Sequence, residues 1–166
     1  MQIVDQVKKC NGCGACVVAC KYQCMSMKAW DDEKAKVVLD KHASELSPKK
    51  QVPVRDENGC QKCNACVLFC PLFNPVELPQ FDEFYEYEES FEKRDLPSHY
   101  REVMRSVRAG KRTEFVATLC EIAALKSLLG DVIPENLILR PMYCDDNRRM
   151  NNPVCKECNF YEELGK

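Results

Sequence analysis

The stretches "CNGCGACVVACKYQC" (residues 10–24) and "CQKCNACVLFCPLF" (residues 60–73) hold nine of the thirteen cysteines in this 166-residue chain. Laid over one another, they align Cys10 with Cys60, Cys13 with Cys63, Cys16 with Cys66 and Cys20 with Cys70, each pair 50 positions apart. A short strand-like stretch precedes each run, "QIVDQV" before the first and "QVPVR" before the second. Each run then passes into "ACVVAC" or "ACVLFC", which reads as a short helix. Two copies of one supersecondary unit are therefore expected. The copies diverge after the fourth cysteine, where Pro71 follows Cys70 but Lys21 follows Cys20, with Cys24 close behind.

Thirteen cysteines narrow the class to a disulfide scaffold, a zinc protein or an iron-sulfur protein, and an odd count argues against complete disulfide pairing. No basic region followed by an apolar run opens the sequence, and no uninterrupted apolar stretch is long enough to span a bilayer. The expectation is a soluble, cytoplasmic protein without membrane insertion, in which clustered cysteines serve as metal ligands. Net charge is −2 overall, but it is unevenly spread: +3 over residues 1–70, −6 over 71–96 and +1 over 97–166. No basic domain suited to a nucleic-acid backbone is present.

Between the repeats, "MSMKAW", "DDEK" and "AKVVLD" read as strand, turn and strand, a hairpin packed over the first cysteine loop with Trp30 covering apolar surface. "PLFNPVELPQ" holds three prolines and ends the module. "FDEFYEYEESFEKRD" sets Phe81, Phe84, Tyr85 and Phe91 at roughly helical spacing among acids. "SHYREVMRSVRAGKR" and "TEFVATLCEIAALKSLLG" read as two helices, the second with Thr113 as N-cap and Gly130 as its stop.

Thiolates spaced C-x2-C-x2-C let one tight loop present three sulfurs to a cubane cluster, and the fourth ligand must come from elsewhere. The doubled run, over roughly residues 3–76, resembles the bacterial two-cluster ferredoxins. That resemblance implies one 4Fe-4S cluster on Cys10, Cys13, Cys16 and Cys70, and a second on Cys60, Cys63, Cys66 and Cys20. Structural zinc is the competing reading, disfavoured by two triplets at this spacing. Small residues in the loops, Gly12, Gly14, Ala15, Asn64 and Ala65, suit a backbone wrapped around an inorganic core. Lys21 departs from the family's proline; a cation directed at the cluster would raise its potential. Cys24 is an alternative to Cys20, although the register favours Cys20.

Five cysteines remain: Cys24, Cys120, Cys144, Cys155 and Cys158. Cys155 and Cys158 form a C-x2-C pair, and with Cys144 they offer three thiolates for a third centre, a further 4Fe-4S cluster or one zinc. Cys24 is the preferred fourth ligand and Cys120 the alternative; Cys120 also fits a buried apolar thiol on a face with Val116 and Ala123. The competing reading leaves all five as structural cysteines.

The fold expected is α+β: a two-cluster ferredoxin-like module with an inserted β-hairpin over residues 1–76, an acidic aromatic arm over 77–96, and a helical extension with a cysteine-containing tail over 97–166. No autonomous catalytic site stands out, and His42 and His99 read as surface residues. Arg101, Arg105, Arg108 and Arg112 make one basic face, either a solvated surface or a docking site for a redox partner. The resemblance implies an electron-transfer subunit serving a larger catalytic subunit, a molybdenum, tungsten or flavin oxidoreductase of anaerobic metabolism. A soluble ferredoxin or flavoprotein would be its donor. The rivals are a freestanding polyferredoxin carrier and a non-redox assembly or sensor protein.

Overall fold

A computed structural model describes residues 10, 12–28, 52–86, 94–130 and 132–144. The repeat is visible in the backbone itself. Gly12 and Lys62 have φ of 76° and 53°, and Gly14 and Asn64 have φ of 78° and 60°, so left-handed residues recur at the same 50-residue interval as the cysteines. Glycine and asparagine are the residues that tolerate this region, and in each copy the second one caps a short helix. These helices are α1 (Ala15–Ala19) and α2 (Ala65–Leu68), and they pack against one another.

Strand β1 (Met25–Lys28) pairs antiparallel with β2 (Val52–Arg55), Met25 opposite Arg55 and Lys28 opposite Val52. The strand expected in "MSMKAW" is present over its first four residues, and the strand expected before the second cysteine run is its partner. Trp30, His42 and the second strand of the expected hairpin lie outside the described residues.

The C-terminal half contains more strand than its sequence suggests. Helix α3 (Leu96–Arg108) starts at Asp95, whose carboxylate caps the Ser98 N–H, with Pro97 in the first turn. It buries Tyr100, Val103, Met104 and Val107 and leaves the arginine row outside. Thr113 then opens a strand rather than a helix: β3 (Thr113–Ala117) runs parallel to β4 (Leu137–Pro141), with Thr113 opposite Leu137 and Ala117 opposite Pro141. Helix α4 (Leu119–Leu129) crosses between them. It is capped at Thr118, whose side chain accepts from the backbone of Glu121 while Glu121 Oε2 accepts from the Thr118 N–H at 3.0 Å. Thr118 and Glu121 thus form the capping box, and "TEFVA" is β-branched and aromatic enough to pair once β4 supplies a parallel edge.

The aromatic arm is also extended where it is described. Tyr85 bridges to Met142 in parallel fashion, its N–H donating to Pro141 O at 2.8 Å and its carbonyl accepting from the Tyr143 N–H at 2.9 Å. The open edge of β4 gains partners this way, and an isolated helix over Phe81–Tyr85 would leave that edge unpaired. Phe84 stacks on Tyr143 with centroids 5.2 Å apart, and Phe81 meets Phe84 edge-on.

Tyr100, Phe115, Ile122 and Leu125 are fully buried in one core. Two buried or half-buried charges lie at its border, Arg94 and Glu121, 3.0 Å apart, with Arg94 also donating to Val116 O at 2.9 Å. His99, expected at the surface, is half-buried and stacks on Phe115 with centroids 5.3 Å apart. No helix among the described residues is long and apolar enough to cross a membrane.

Candidate metal centre

The cysteines of the two repeats fold into two adjoining groups. Cys10, Cys13, Cys16 and Cys70 are all buried. Burial raises the thiol pKa of Cys13 and Cys16, and repulsion from Cys10 and Cys70 raises both further. Cys70 is pushed up to about 11, chiefly by burial, with Cys10 and Cys66 adding to the effect. Thiols this close cannot all ionise beside one another in a buried site; a metal core carrying positive charge relieves that repulsion, and a coordinating thiol is deprotonated outright.

The second group is open to solvent. Cys60 and Cys66 are half-buried and Cys63 is exposed. With Cys20 and Cys24 they line a pocket of about 370 Å3, counting its open mouth, which Tyr22 and Arg55 also border. Backbone N–H groups face the sulfurs in both copies at equivalent positions: Gly12 N to Cys10 Sγ at 3.3 Å and Lys62 N to Cys60 Sγ at 3.4 Å. The left-handed residues Gly12 and Lys62 turn these amides inward, an arrangement that stabilises thiolate charge. Among the described residues no three His, Cys, Asp or Glu side chains are set for a single metal ion.

Cys24 lies within the second group. Its Sγ is 3.3 Å from Cys20 Sγ, its carbonyl accepts from the Asp56 N–H at 2.8 Å, and a β-carbon on Gly59 would stand 3.1 Å from Cys24 Cβ. Burial and the Cys20 contact push the Cys24 thiol up to about 12. Burial would raise Cys20 too, but the contact with Cys24 and the backbone amides of Cys24, Tyr22 and Met25 outweigh it, so its pKa is lowered. The two thiols thus share one contact, with Cys20 the more readily ionised of the pair. Of the other cysteines considered for a third centre, Cys144 is half-buried, and Cys155 and Cys158 lie outside the described residues. Lys21 Nζ sits over the Tyr22 ring, 5.0 Å from its centroid.

Residues far away in sequence complete the first group's wall. Tyr100, fully buried on α3, donates its hydroxyl hydrogen to Cys13 O at 2.8 Å, and Arg101 donates to Val17 O at 3.4 Å. Pro97 closes over Gly14, where a β-carbon would stand 3.2 Å from Pro97 Cγ. No spacing rule connects these residues to the cysteine loop; only the packing of α3 on α1 reveals them.

Residues 9–74 match the family model described as the 4Fe-4S dicluster domain. A 73-residue stretch is 37% identical to Ferredoxin-3 of Nostoc sp. (strain PCC 7120), covering 42% of this chain and 73% of that protein. The chain belongs to the 4Fe-4S dicluster ferredoxin family. No solved structure matches it. As a member of that family it is an iron-sulfur, ferredoxin-like electron carrier, and the buried thiol groups with inward-facing amides have the donor chemistry a 4Fe-4S cofactor requires. The family match ends at residue 74, so α3 and the β3–α4–β4 unit lie beyond it.

Proposed function

We propose that this ferredoxin holds two 4Fe-4S clusters, one on Cys10, Cys13, Cys16 and Cys70 and one on Cys60, Cys63, Cys66 and Cys20, and serves as the electron-transfer subunit of an oxidoreductase complex of anaerobic metabolism. When bound, such clusters take up and release single electrons. The chain's own residues set the conditions for this. The Gly12 and Lys62 amides hold negative charge on the sulfurs, and the Tyr100 hydroxyl fixes the Cys13 turn. The cover of α3 excludes water from the first group. The 3.3 Å contact with Cys24 Sγ holds the Cys20 sulfur in place for the fourth corner of the second group.

One observation carries the subunit reading: the extension covers the first cysteine group and leaves the second exposed. Pro97, Tyr100 and Arg101 lie against the first loop, whereas Cys63 and the apolar side chains of Leu68, Phe69 and Leu72 around the second loop face solvent. A diffusing carrier needs little beyond the cluster module. An added layer that shields one side and leaves an apolar surface beside the other suits permanent docking on a catalytic subunit, with the second group at the contact.

The test is anaerobic gel filtration of the native chain from its source, with iron, flavin, molybdenum and tungsten measured across the peak. The expected result is elution well above the 19.1 kDa of the chain, with an enzyme whose substrate reduces the iron-sulfur signals. Elution at monomer mass, with iron reduced equally well by unrelated donors, would favour a free carrier.

A further inference from the structure

The outer face of α3 carries charge of nearly one sign. Residues 96–112 hold five cations and one acid, Arg101, Arg105, Arg108, Lys111 and Arg112 against Glu102, a net charge of +4, and all six are exposed. Arg101, Arg105 and Arg108 lie four and three positions apart, which sets them on one stripe about 10 Å long at about 1.5 Å per residue. Lys111 and Arg112 follow the end of the helix at Arg108. Packing explains why this face is outside, because Tyr100, Val103, Met104 and Val107 bury the other one, but it does not explain the single sign. A helix C-terminus favours cations in its last turn, which accounts for Arg105 and Arg108. The effect falls off within that turn, so it does not account for Arg101.

Among the described residues the ion pairs are Arg55 with Glu57, Arg94 with Glu121 and Arg140 with Glu114, and none involves the row. The acidic arm, where it is described, is tied to β4 through the bonds of Tyr85 with Pro141 and Tyr143. A surface of this sign therefore fits an acidic partner from outside the chain.

The row begins on the wall of the first cysteine group. Arg101 reaches Val17 O on α1 at 3.4 Å, and the adjacent Tyr100 donates to Cys13 O at 2.8 Å. A helix with its side chains is about 10–12 Å across, so a protein lying on the row is separated from the first group by the thickness of one helix. The second group borders a different kind of surface, the exposed apolar side chains of Leu68, Phe69 and Leu72. Lasting interfaces are apolar at their centre, whereas brief encounters depend on charge for association rate and orientation.

We propose that Arg101, Arg105 and Arg108, with Lys111 and Arg112, dock a soluble one-electron carrier protein with an acidic surface, which delivers electrons at the first cysteine group. The inference rests on the two-cluster reading and assigns the first group to the carrier and the second to the catalytic subunit. In the exchange the carrier is oxidised by one electron and the cluster on Cys10, Cys13, Cys16 and Cys70 is reduced by one, with no bond made or broken and no proton transferred.

The experiment uses the full chain, reconstituted anaerobically with iron and sulfide, and flavodoxin, a small acidic flavoprotein, as the probe. Calorimetry follows binding of the two oxidised proteins, and stopped-flow absorbance follows electron transfer from reduced flavodoxin. Raising salt from about 0.01 M to about 0.15 M shortens electrostatic reach from about 30 Å to about 8 Å. Binding and the second-order transfer rate should both fall by at least about tenfold over that range. R105E/R108E brings the face from +4 to neutral and should show the weakened values already at low salt, while reduction by the cationic methyl viologen radical is not slowed.

No flavodoxin binding at low salt, or binding indifferent to salt and to R105E/R108E, overturns the proposal. So does an assembly of this chain alone that the variant disperses, which would give the face to a second copy. Duplex DNA binding that the variant abolishes while flavodoxin binding persists would likewise give it to a nucleic acid. Should R105E/R108E not fold, R105Q/R108Q decides, with a smaller loss of flavodoxin binding expected and an unchanged affinity refuting the docking. Failure of the two-cluster reading would appear separately, as iron well below about eight per chain with flavodoxin binding still sensitive to the variant.

Discussion

Replacing Arg94 with methionine should loosen α4 far more than its surface position suggests. Arg94 and Glu121 are 3.0 Å apart with side chains only 16% and 7% exposed, and Arg94 also donates to the Val116 carbonyl. Glu121 Oε2 accepts from the Thr118 N–H as well, so the carboxylate at the start of α4 is fixed whether or not the arginine is present. R94M would leave that charge buried without its counter-ion, a change that costs about 3–5 kcal/mol for fully buried pairs; the partial exposure of Arg94 places the expectation near ~3 kcal/mol. Iron-sulfur proteins rarely unfold reversibly, so native-state hydrogen exchange at the α4 amides of Ile122 to Lys126 is the suitable assay. A loss of ~3 kcal/mol accelerates exchange by roughly a hundredfold, since about 1.4 kcal/mol is tenfold. Glu121→Gln keeps an acceptor for Thr118 and removes the charge, so R94M/E121Q should exchange more slowly than R94M alone. An R94M acceleration below about fivefold, or a double variant equal to the sum of the singles, would refute the buried-pair reasoning.

Gly14→Asn copies the residue of the second repeat, which tolerates the same left-handed backbone, but its β-carbon would press on Pro97. A cost of about 1–3 kcal/mol is expected, read as faster exchange along α3, whereas Asn64→Gly should leave α3 unchanged. Tyr100→Phe removes a buried hydrogen bond to Cys13 O worth about 1 kcal/mol, so iron should pass to a chelator several-fold faster than from wild type. His99 is held below its ordinary pKa of 6.5 by burial and then by Arg94, with Glu102 and Glu121 pulling weakly the other way. Its contribution to stability is therefore complete above pH 6.5 and declines as pH falls from 6.5 through the lowered folded value, because the unfolded chain takes the proton first. Wild type should lose denaturation midpoint relative to His99→Phe over that window; parallel curves would rule out a titrating His99.

The cysteine register was legible because cluster loops are local. Cysteines three positions apart, with Gly12 and Gly14 or Lys62 and Asn64 turning the backbone between them, are set by the geometry of seven successive residues, and the 50-residue repeat shows the pattern twice. The strand at Met25–Lys28 and the helix beginning near Leu96 are similarly short-range, set by alternation and by Asp95 with Pro97. "TEFVATLCEIAALKSLLG" misled because its apolar content suits either period. The capping box at Thr118 and Glu121 was present as a signal, yet Thr113 offered an equally acceptable cap until a partner strand 24 positions on was known.

By itself, then, the sequence determined the ferredoxin cysteine loops, since the ligand spacing and the turns that create it are written within each run. Only the tertiary structure decided what surrounds them: Cys24 beside Cys20, Tyr100 on Cys13 across 87 positions, and one group covered while the other is exposed. Those relations depend on which distant elements bury one another's apolar faces, and the free energy that selects such packing belongs to the assembled core rather than to any window of the chain.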